Sequence, residues 1–298
     1  MRIIVLGSAA GGGFPQWNSA CAVGARAWRH DPAARWRTQC SLAISADDER
    51  FVLLNASPDL RQQILTTPAL HPKAAPRHSP IAAVVLTNGD IDHVAGLLTL
   101  RESHRFDLYA TAAILDVLAA NPIFDALNPD YVARHRIALD EAIEVAGLTI
   151  TAFAVPGKVA LYLERGEPVI GGESEDTVGL EIRAGDRRFH FVPGCARVTD
   201  ALASRLEGAS LLFFDGTLWT DDEMVRSGTG AKTGTRMGHI SVFGPEGSLA
   251  ALASLRVGRK VYIHINNTNP MLLDDSPERA AAVRAGWEVA HDGMEVRL

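Results

Sequence analysis

The sequence predicts an α/β protein: a four-layer αββα sandwich, two mixed sheets packed face to face with helices on both outer faces. Two observations carry this. Strand-patterned and helix-patterned stretches alternate in blocks, strand-rich, then helical, then strand-rich, then helical. Several apolar strands also stop abruptly at polar residues, and α/β proteins place their chemistry at such carboxyl ends. The blocks make one domain over 1–298 with two β-α halves, roughly 1–145 and 146–298.

Arg2-Ile-Ile-Val-Leu6 is a first strand, followed by Gly7-Ser-Ala-Ala-Gly-Gly-Gly-Phe-Pro15. Three consecutive glycines let backbone pass where side chains would not fit. The segment is not a dinucleotide fingerprint, because Ala9 replaces the second glycine of G-x-G-x-x-G and no helix pattern follows. Gln16 to Gln39, rich in Trp and Arg, reads as a packed, irregular functional loop. Leu42–Ser45 and Arg50–Leu54 flank Asp47-Asp48-Glu49 as a β-hairpin. Ser57-Pro58 supplies an N-cap and first-turn pair for a helix through Leu65, and the Pro-rich stretch 68–80 is a surface connection. Ile81–Leu86 is a buried strand, Val94–Leu100 a helix, Asp107–Tyr109 a short strand and Ala112–Ala119 a helix. Residues 121–136 have a looser helix-and-loop character. In the second half, Leu148–Phe153 alternates as a strand, and Thr177–Arg183 and Arg187–Val192 flank the turn Ala184-Gly-Asp186. Ser210–Phe214 is a strand, Glu246–Leu255 a helix, Lys260–His264 a buried strand and Pro277–Ala285 a helix before two short strands.

The composition excludes several function classes. The 298 residues are 47% hydrophobic and 21% charged with a formal charge of −6, and no long Lys/Arg run argues for nucleic acid. Arg256, Arg259 and Lys260 read as a solvated helix end. No apolar run reaches the roughly 18 residues of a membrane span, and the start carries no signal-peptide pattern. Cys21, Cys40 and Cys195 form no Cys-x-x-Cys pair, so a disulfide framework is not expected. A cytoplasmic protein fits these features.

The stretch Leu86-Thr-Asn-Gly-Asp-Ile-Asp-His93 puts Asn88, Asp90, Asp92 and His93 on a strand-to-helix turn. Two carboxylates and an imidazole there can converge on one cation; alternatively, the aspartates cap the next helix. Further strands end at Asp215 in Leu211-Leu-Phe-Phe-Asp-Gly216, at His264 in Val261-Tyr-Ile-His-Ile-Asn266, and at Cys195 in Phe191-Val-Pro-Gly-Cys195. Singly, an Asp at a strand end is a turn former and a His in an apolar strand is a hydrogen-bonded core residue. Together they suggest a metal site assembled from strand ends.

The order of these endings resembles the metallo-β-lactamase superfamily. Its hallmark turn is H-x-H-x-D-H, followed by a Pro-Gly-His strand end, a bridging Asp and a last His. Here the pattern runs Asn88-x-Asp90-x-Asp92-His93, then Pro193-Gly194-Cys195, Asp215 and His264. The resemblance implies a sandwich of that superfamily's type, with the second-metal ligands kept as Asp92, His93, Asp215 and His264. The first-metal positions hold Asn88, Asp90 and Cys195 instead, which implies a mononuclear centre. Two imidazoles and two carboxylates with open positions suit non-haem Fe(II), with Zn as the alternative. Asp90 is a third carboxylate for the metal or a hydrogen-bonding neighbour of it. Met237-Gly-His-Ile-Ser-Val242 resembles the Gly-His-Ser segment of the ribonuclease Z branch, making His239 a candidate acid/base or substrate contact; otherwise it is a loop histidine satisfied by backbone. Gly228–Arg236 is glycine-rich but fails the phosphate-loop test at Arg226 and Ala231, and reads as a mobile loop or lid.

End to end, the chain resembles a family of pyrroloquinoline quinone (PQQ) biosynthesis proteins. The matching segments are Gly7 to Asn18, Asp92-His93 with Gly96-Leu97-Leu98, Val155-Pro-Gly-Lys-Val-Ala-Leu161, Phe214-Asp-Gly-Thr217, Met237-Gly-His239 and His264-Ile-Asn-Asn-Thr-Asn-Pro270. One departure concerns a Cys-x-Cys-x-x-Cys structural zinc motif of many relatives, whose positions here are Ser19, Cys21 and Gly24. That zinc site is expected to be lost, with Trp17, Trp28 and Trp36 packing the loop instead. The resemblance implies catalytic His239 and Asp90 in an iron-dependent, O2-using hydroxylase of the tyrosine-derived ring of a glutamate–tyrosine intermediate. Its alternatives are a soluble carrier assisting transport of PQQ or its precursor and, less favoured, a metal-dependent hydrolase. The partners implied are that small molecule and other PQQ biosynthesis proteins.

Overall fold

Alternation along the strands decides which face of each sheet is covered. In β1 (Arg2–Gly7), Ile3 and Val5 point into one core while Ile4 and Leu6 point into another. In the computed structural model, which describes residues 1–167 and 169–298, this period-2 pattern recurs through two mixed seven-stranded sheets. The strands are β1, β2 (Ser41–Ser45), β3 (Phe51–Leu54), β4 (Ile81–Val85), β5 (Phe106–Ala110), β6 (Val132–Arg136), β7 (Ala142–Val145), β8 (Leu148–Gly157), β9 (Gly172–Ala184), β10 (Arg187–Val192), β11 (Leu211–Asp215), β12 (Arg259–Ile263), β13 (Trp287–Val289) and β14 (Glu295–Arg297).

The first sheet runs β14-β1-β2-β3-β4-β5-β6 and the second β13-β12-β11-β10-β9-β8-β7. Antiparallel pairing links β14 to β3 in the first and β7 to β10 in the second; the remaining pairs are parallel. The two sheets thus repeat one plan, except that β14 crosses back to the first. Ile3, Leu42 and Ile44 of one sheet meet Leu180, Phe189 and Phe213 of the other in the central core. Helices 60–66 and 112–119 cover the first sheet through Leu60, Ile114 and Leu118. Helices 200–206 and 277–284 cover the second through Leu202, Leu206 and Ala282. This is the αββα sandwich the sequence predicts. Among the described residues, no helix is long and apolar enough to cross a membrane.

Several local expectations are corrected. The 16–39 loop contains a helix, Ala22–Trp28, capped by Cys21 Sγ, which accepts from Gly24 N at 3.4 Å. Trp28 and Trp36 pack edge to face at 5.7 Å, but Trp17 is 82% exposed. The 60–66 helix starts after Asp59, and the buried Ser57 hydroxyl has no partner; Asp59 instead accepts from Gln39 N. Asp90 precedes a single helical turn, Ile91–Val94, continued as 3₁₀ through Leu100. The 246–255 helix shrinks to Ser248–Ala251, preceded by Gly247, which is pressed against the backbone of Val242 and Phe243. Residues 132–136 form an edge strand whose exposed face is polar, which hides its strand period.

His190 on β10 is buried with Nε2 3.1 Å from Glu181 Oε2. Burial pushes its pKa down to about 4 against the pull of Glu181. An unfolded histidine titrates near 6.5, so acidification protonates the unfolded chain first. Stability is therefore lost between about pH 6.5 and about pH 4, at up to roughly 1.4 kcal/mol per pH unit from this group. We expect His190→Gln to flatten that slope in denaturant unfolding at pH 7, 6 and 5; an unaltered slope would assign acid lability to other groups.

Candidate metal centre

The turn after β4 is held by the end of β3. Asn55, in the left-handed region at φ 63°, accepts from Thr87 N and donates through Nδ2 to Thr87 Oγ1, both at 2.9 Å. The next residue, Ala56, donates its N–H to His93 O at 2.8 Å and accepts from Gly96 N at 2.9 Å. A Cβ on Gly96 would lie 2.1 Å from Ser57 O, so only glycine lets the 91–100 segment approach this closely. Asp92 and His93 are thereby fixed between two strands.

Asn88 sets the state of His93. Its Oδ1 accepts from Asp90 N at 2.9 Å, which identifies that atom as oxygen, and lies 2.7 Å from His93 Nδ1. His93 must then carry its proton on Nδ1 and present a lone pair at Nε2. That Nε2 is buried, has no partner, and lies 3.8 Å from Asp92 Oδ2. Burial pushes His93 down to about 4, keeping it neutral at pH 7.

His264 follows β12 at φ 58°, with its Nε2 3.1 Å from the same Asp92 oxygen. Thr217 Oγ1 donates to Asp215 Oδ1 at 2.6 Å and lies 2.9 Å from His264 Nδ1. With its one proton given to Asp215, the hydroxyl accepts from Nδ1–H, so His264 also turns a lone pair toward Asp92. Two imidazole lone pairs and one carboxylate thus face each other in a buried space. Without a cation this arrangement is repulsive; with one it is a ligand set. The residues present therefore fit a divalent metal.

Among the described residues, two groups bring three ligand atoms within 4.8 Å of one another: Asp92, His93 and His264, and Asp215, His239 and His264. Asp215 is fully buried, and its four acceptor contacts are Thr217 N, Thr217 Oγ1, Cys195 N and His239 Nδ1, the last at 2.7 Å. Burial opposes charge on both members of the Asp215–His239 pair, yet their mutual attraction lowers Asp215 and raises His239. The His239 ring stacks on His264 at 5.2 Å. Asp90 accepts from Leu161 N at 3.0 Å, and burial, then the Asp92 charge, raise it. Cys195 Sγ lies 3.0 Å from Arg197 O, and burial pushes its thiol up.

A cavity of about 280 Å³ opens over these groups, with Asp90, Asp92, His93, His239 and His264 lining it. Lys158, Lys232 and Met237 stand on its wall. Thr217, Asn55 and Lys158 carry weight that the sequence reading did not give them. The signals were an Asn after an apolar strand, and threonine and lysine within segments already matched to a family. The glycine-rich 228–236 loop is anchored, with Asp221 Oδ1 accepting from Thr235 N at 2.6 Å and Arg236 paired to Glu164 at 2.9 Å.

Residues 50–265 match the family model described as Beta-lactamase superfamily domain. The chain is 59% identical, over the full length of both, to coenzyme PQQ synthesis protein B of Xanthomonas axonopodis pv. citri (strain 306). It superposes on the Zn(2+)-bound PqqB from Methylobacterium extorquens with a TM-score of 0.99, 56% identity and full coverage of both chains. A diphosphatase of the PhnP family shares the fold, with a TM-score of 0.70 at 23% identity over 99% of this chain and 97% of that one.

Asn88→Ala removes the acceptor that orients His93. We expect divalent-metal affinity, read by calorimetric titration, to fall about 10–100-fold. Wild-type affinity in that variant would mean that the His93 orientation is set elsewhere.

Proposed function

This chain belongs to the coenzyme PQQ synthesis protein B family, within the beta-lactamase superfamily, and from that premise we propose that it acts in PQQ biosynthesis as a mononuclear non-haem iron, O2-dependent hydroxylase. Its substrate is the tyrosine-derived ring of a glutamate–tyrosine intermediate. The observation supporting this reading is the Asp92, His93 and His264 group, two imidazoles and one carboxylate whose ligand atoms lie within 4.8 Å of one another. Such a triad suits Fe(II) and leaves positions open. Asp215 stands beside it as the fourth ligand.

Bound there, iron would supply the activation of O2 next to the ring. The chain's own residues do the rest. Asn88 and Thr217 keep the ligand nitrogens deprotonated. Asp215 holds His239 by Nδ1, so the remaining ring nitrogen can carry a proton to or from the phenol. Asp90, raised by burial, is a second proton-holding group on the cavity wall. The residues at the first-metal positions of the superfamily serve other ends here: Asn88 orients His93, and Cys195 N–H donates to Asp215. A two-metal activation of water has no support from these side chains.

The Zn(2+)-bound relative favours a second reading, in which the same ligands hold zinc and the protein carries PQQ or its precursor without converting it. The two are separated by loading the protein with Fe(II) anaerobically, then admitting O2 with a reductant and a DOPA-containing glutamate analogue. We expect the product to gain one oxygen by mass spectrometry, and His264→Ala to abolish the gain. Stoichiometric iron with no mass gain favours the carrier.

A further inference from the structure

Lys158, Lys232 and Arg236 gather around one carboxylate at the wall of the metal cavity. Glu164 is the shared carboxylate of Arg236, Lys158 and Lys232. Arg236 takes it as a fork, Nη1 to Oε1 at 3.2 Å and Nη2 to Oε2 at 2.9 Å. A bidentate guanidinium occupies both oxygens and neutralises the charge. Lys158 Nζ then has only a shared contact with Oε1 at 3.1 Å and its neighbour's carbonyl, Val159 O, at 3.1 Å. An ammonium has three N–H donors, so one is left over. Its side chain is only 8% exposed, so that donor has little access to bulk water. Lys232 lies 3.9 Å from Glu164, at the limit of an ion pair. Both lysines line the cavity that holds Asp92, His93 and His264. The acidic groups facing them across the cavity are Asp90, which accepts from Leu161 N, and Asp92, which belongs to the metal group.

We propose that Lys158 and Lys232 form a carboxylate-binding subsite, positioned by Glu164 and Arg236, that selects a ring substrate carrying anionic carboxylates. This rests on the reading of the cavity as the substrate site of a PQQ-pathway protein, though not on the reaction performed there. Two ammonium groups on one wall of the cavity offer positive potential there, and a carboxylate can take the leftover donors. The Arg236–Glu164 pair ties the segment 158–164 to the segment 228–237, and both lysines line the same cavity. Neither lysine touches the metal group directly, so the subsite orients the ligand while the metal end performs the chemistry.

The test is equilibrium binding to metal-free protein, with PQQ as the polyacid probe and its trimethyl ester as the uncharged control. We expect the acid to bind at least about tenfold tighter than the ester, and each of Lys158→Met and Lys232→Met to lose about tenfold for the acid with no change for the ester. Added salt should weaken the acid alone. Lys232 is more than a third exposed, so Lys232→Met carries the test if the Lys158 variant fails to fold by circular dichroism. Equal affinity for acid and ester, no binding of the acid, or wild-type acid affinity in the folded variants would overturn the subsite. Acid selectivity without any oxygen insertion would uphold it and count against the hydroxylase.

Discussion

Two histidine lone pairs and a carboxylate buried against one another are the constraint on which this structure depends. His93 and His264 come from different sheets, and their rings meet edge to face at 5.3 Å. Neither imidazole can relieve the crowding by turning, because Asn88 and Thr217 hold the opposite nitrogens. Protonation of His93 is resisted by burial. A cation shared by the three groups satisfies both nitrogens and the carboxylate at once, so the contacts that fix side-chain geometry also assemble a ligand set.

That geometry is available because the two sheets are closely packed and their strand ends register. An isolated bridge joins Asn88 to Thr177, and others join Ala9 to Gln39 and to Ile265, so backbone from both sheets is tied around the centre. The inter-sheet core of Ile3, Leu42, Leu180, Phe189 and Phe213 is fully buried. A close-packed core transmits small displacements, so changes in it are felt at the ligands. Gly96 shows how tight the support is, since a single methyl there would collide with Ser57 O.

The strands were legible because apolar residues alternate where one sheet face is covered, and run continuously where both are. β6 was not, since its Val-Ala-Arg-His-Arg pattern belongs to an edge whose outer face meets water. The Ala22–Trp28 helix was hidden in a segment whose Trp and Arg content suggested irregular packing. Asp92, His93, Asp215, His239 and His264 were visible as polar strand and loop ends, and the fold brings all five around one cavity or its floor. Their division of labour was not visible. Asp215 reads in sequence as one more ligand, while in the fold it also anchors His239, Thr217 and the Cys195 amide. Such roles depend on contacts across about 20 to 50 residues of chain, such as Cys195 to Asp215 and Thr217 to His264, which no local pattern records.

We propose that one metal ion, and not two, is held by the surviving half of a dinuclear plan. Anaerobic Fe(II) titration of metal-free protein, with bound metal counted by mass spectrometry of the desalted sample, tests it most directly. We expect one equivalent per chain, lost on His93→Ala and on His264→Ala and retained on Cys195→Ala. Two equivalents per chain, or one that survives loss of both histidines, would contradict it.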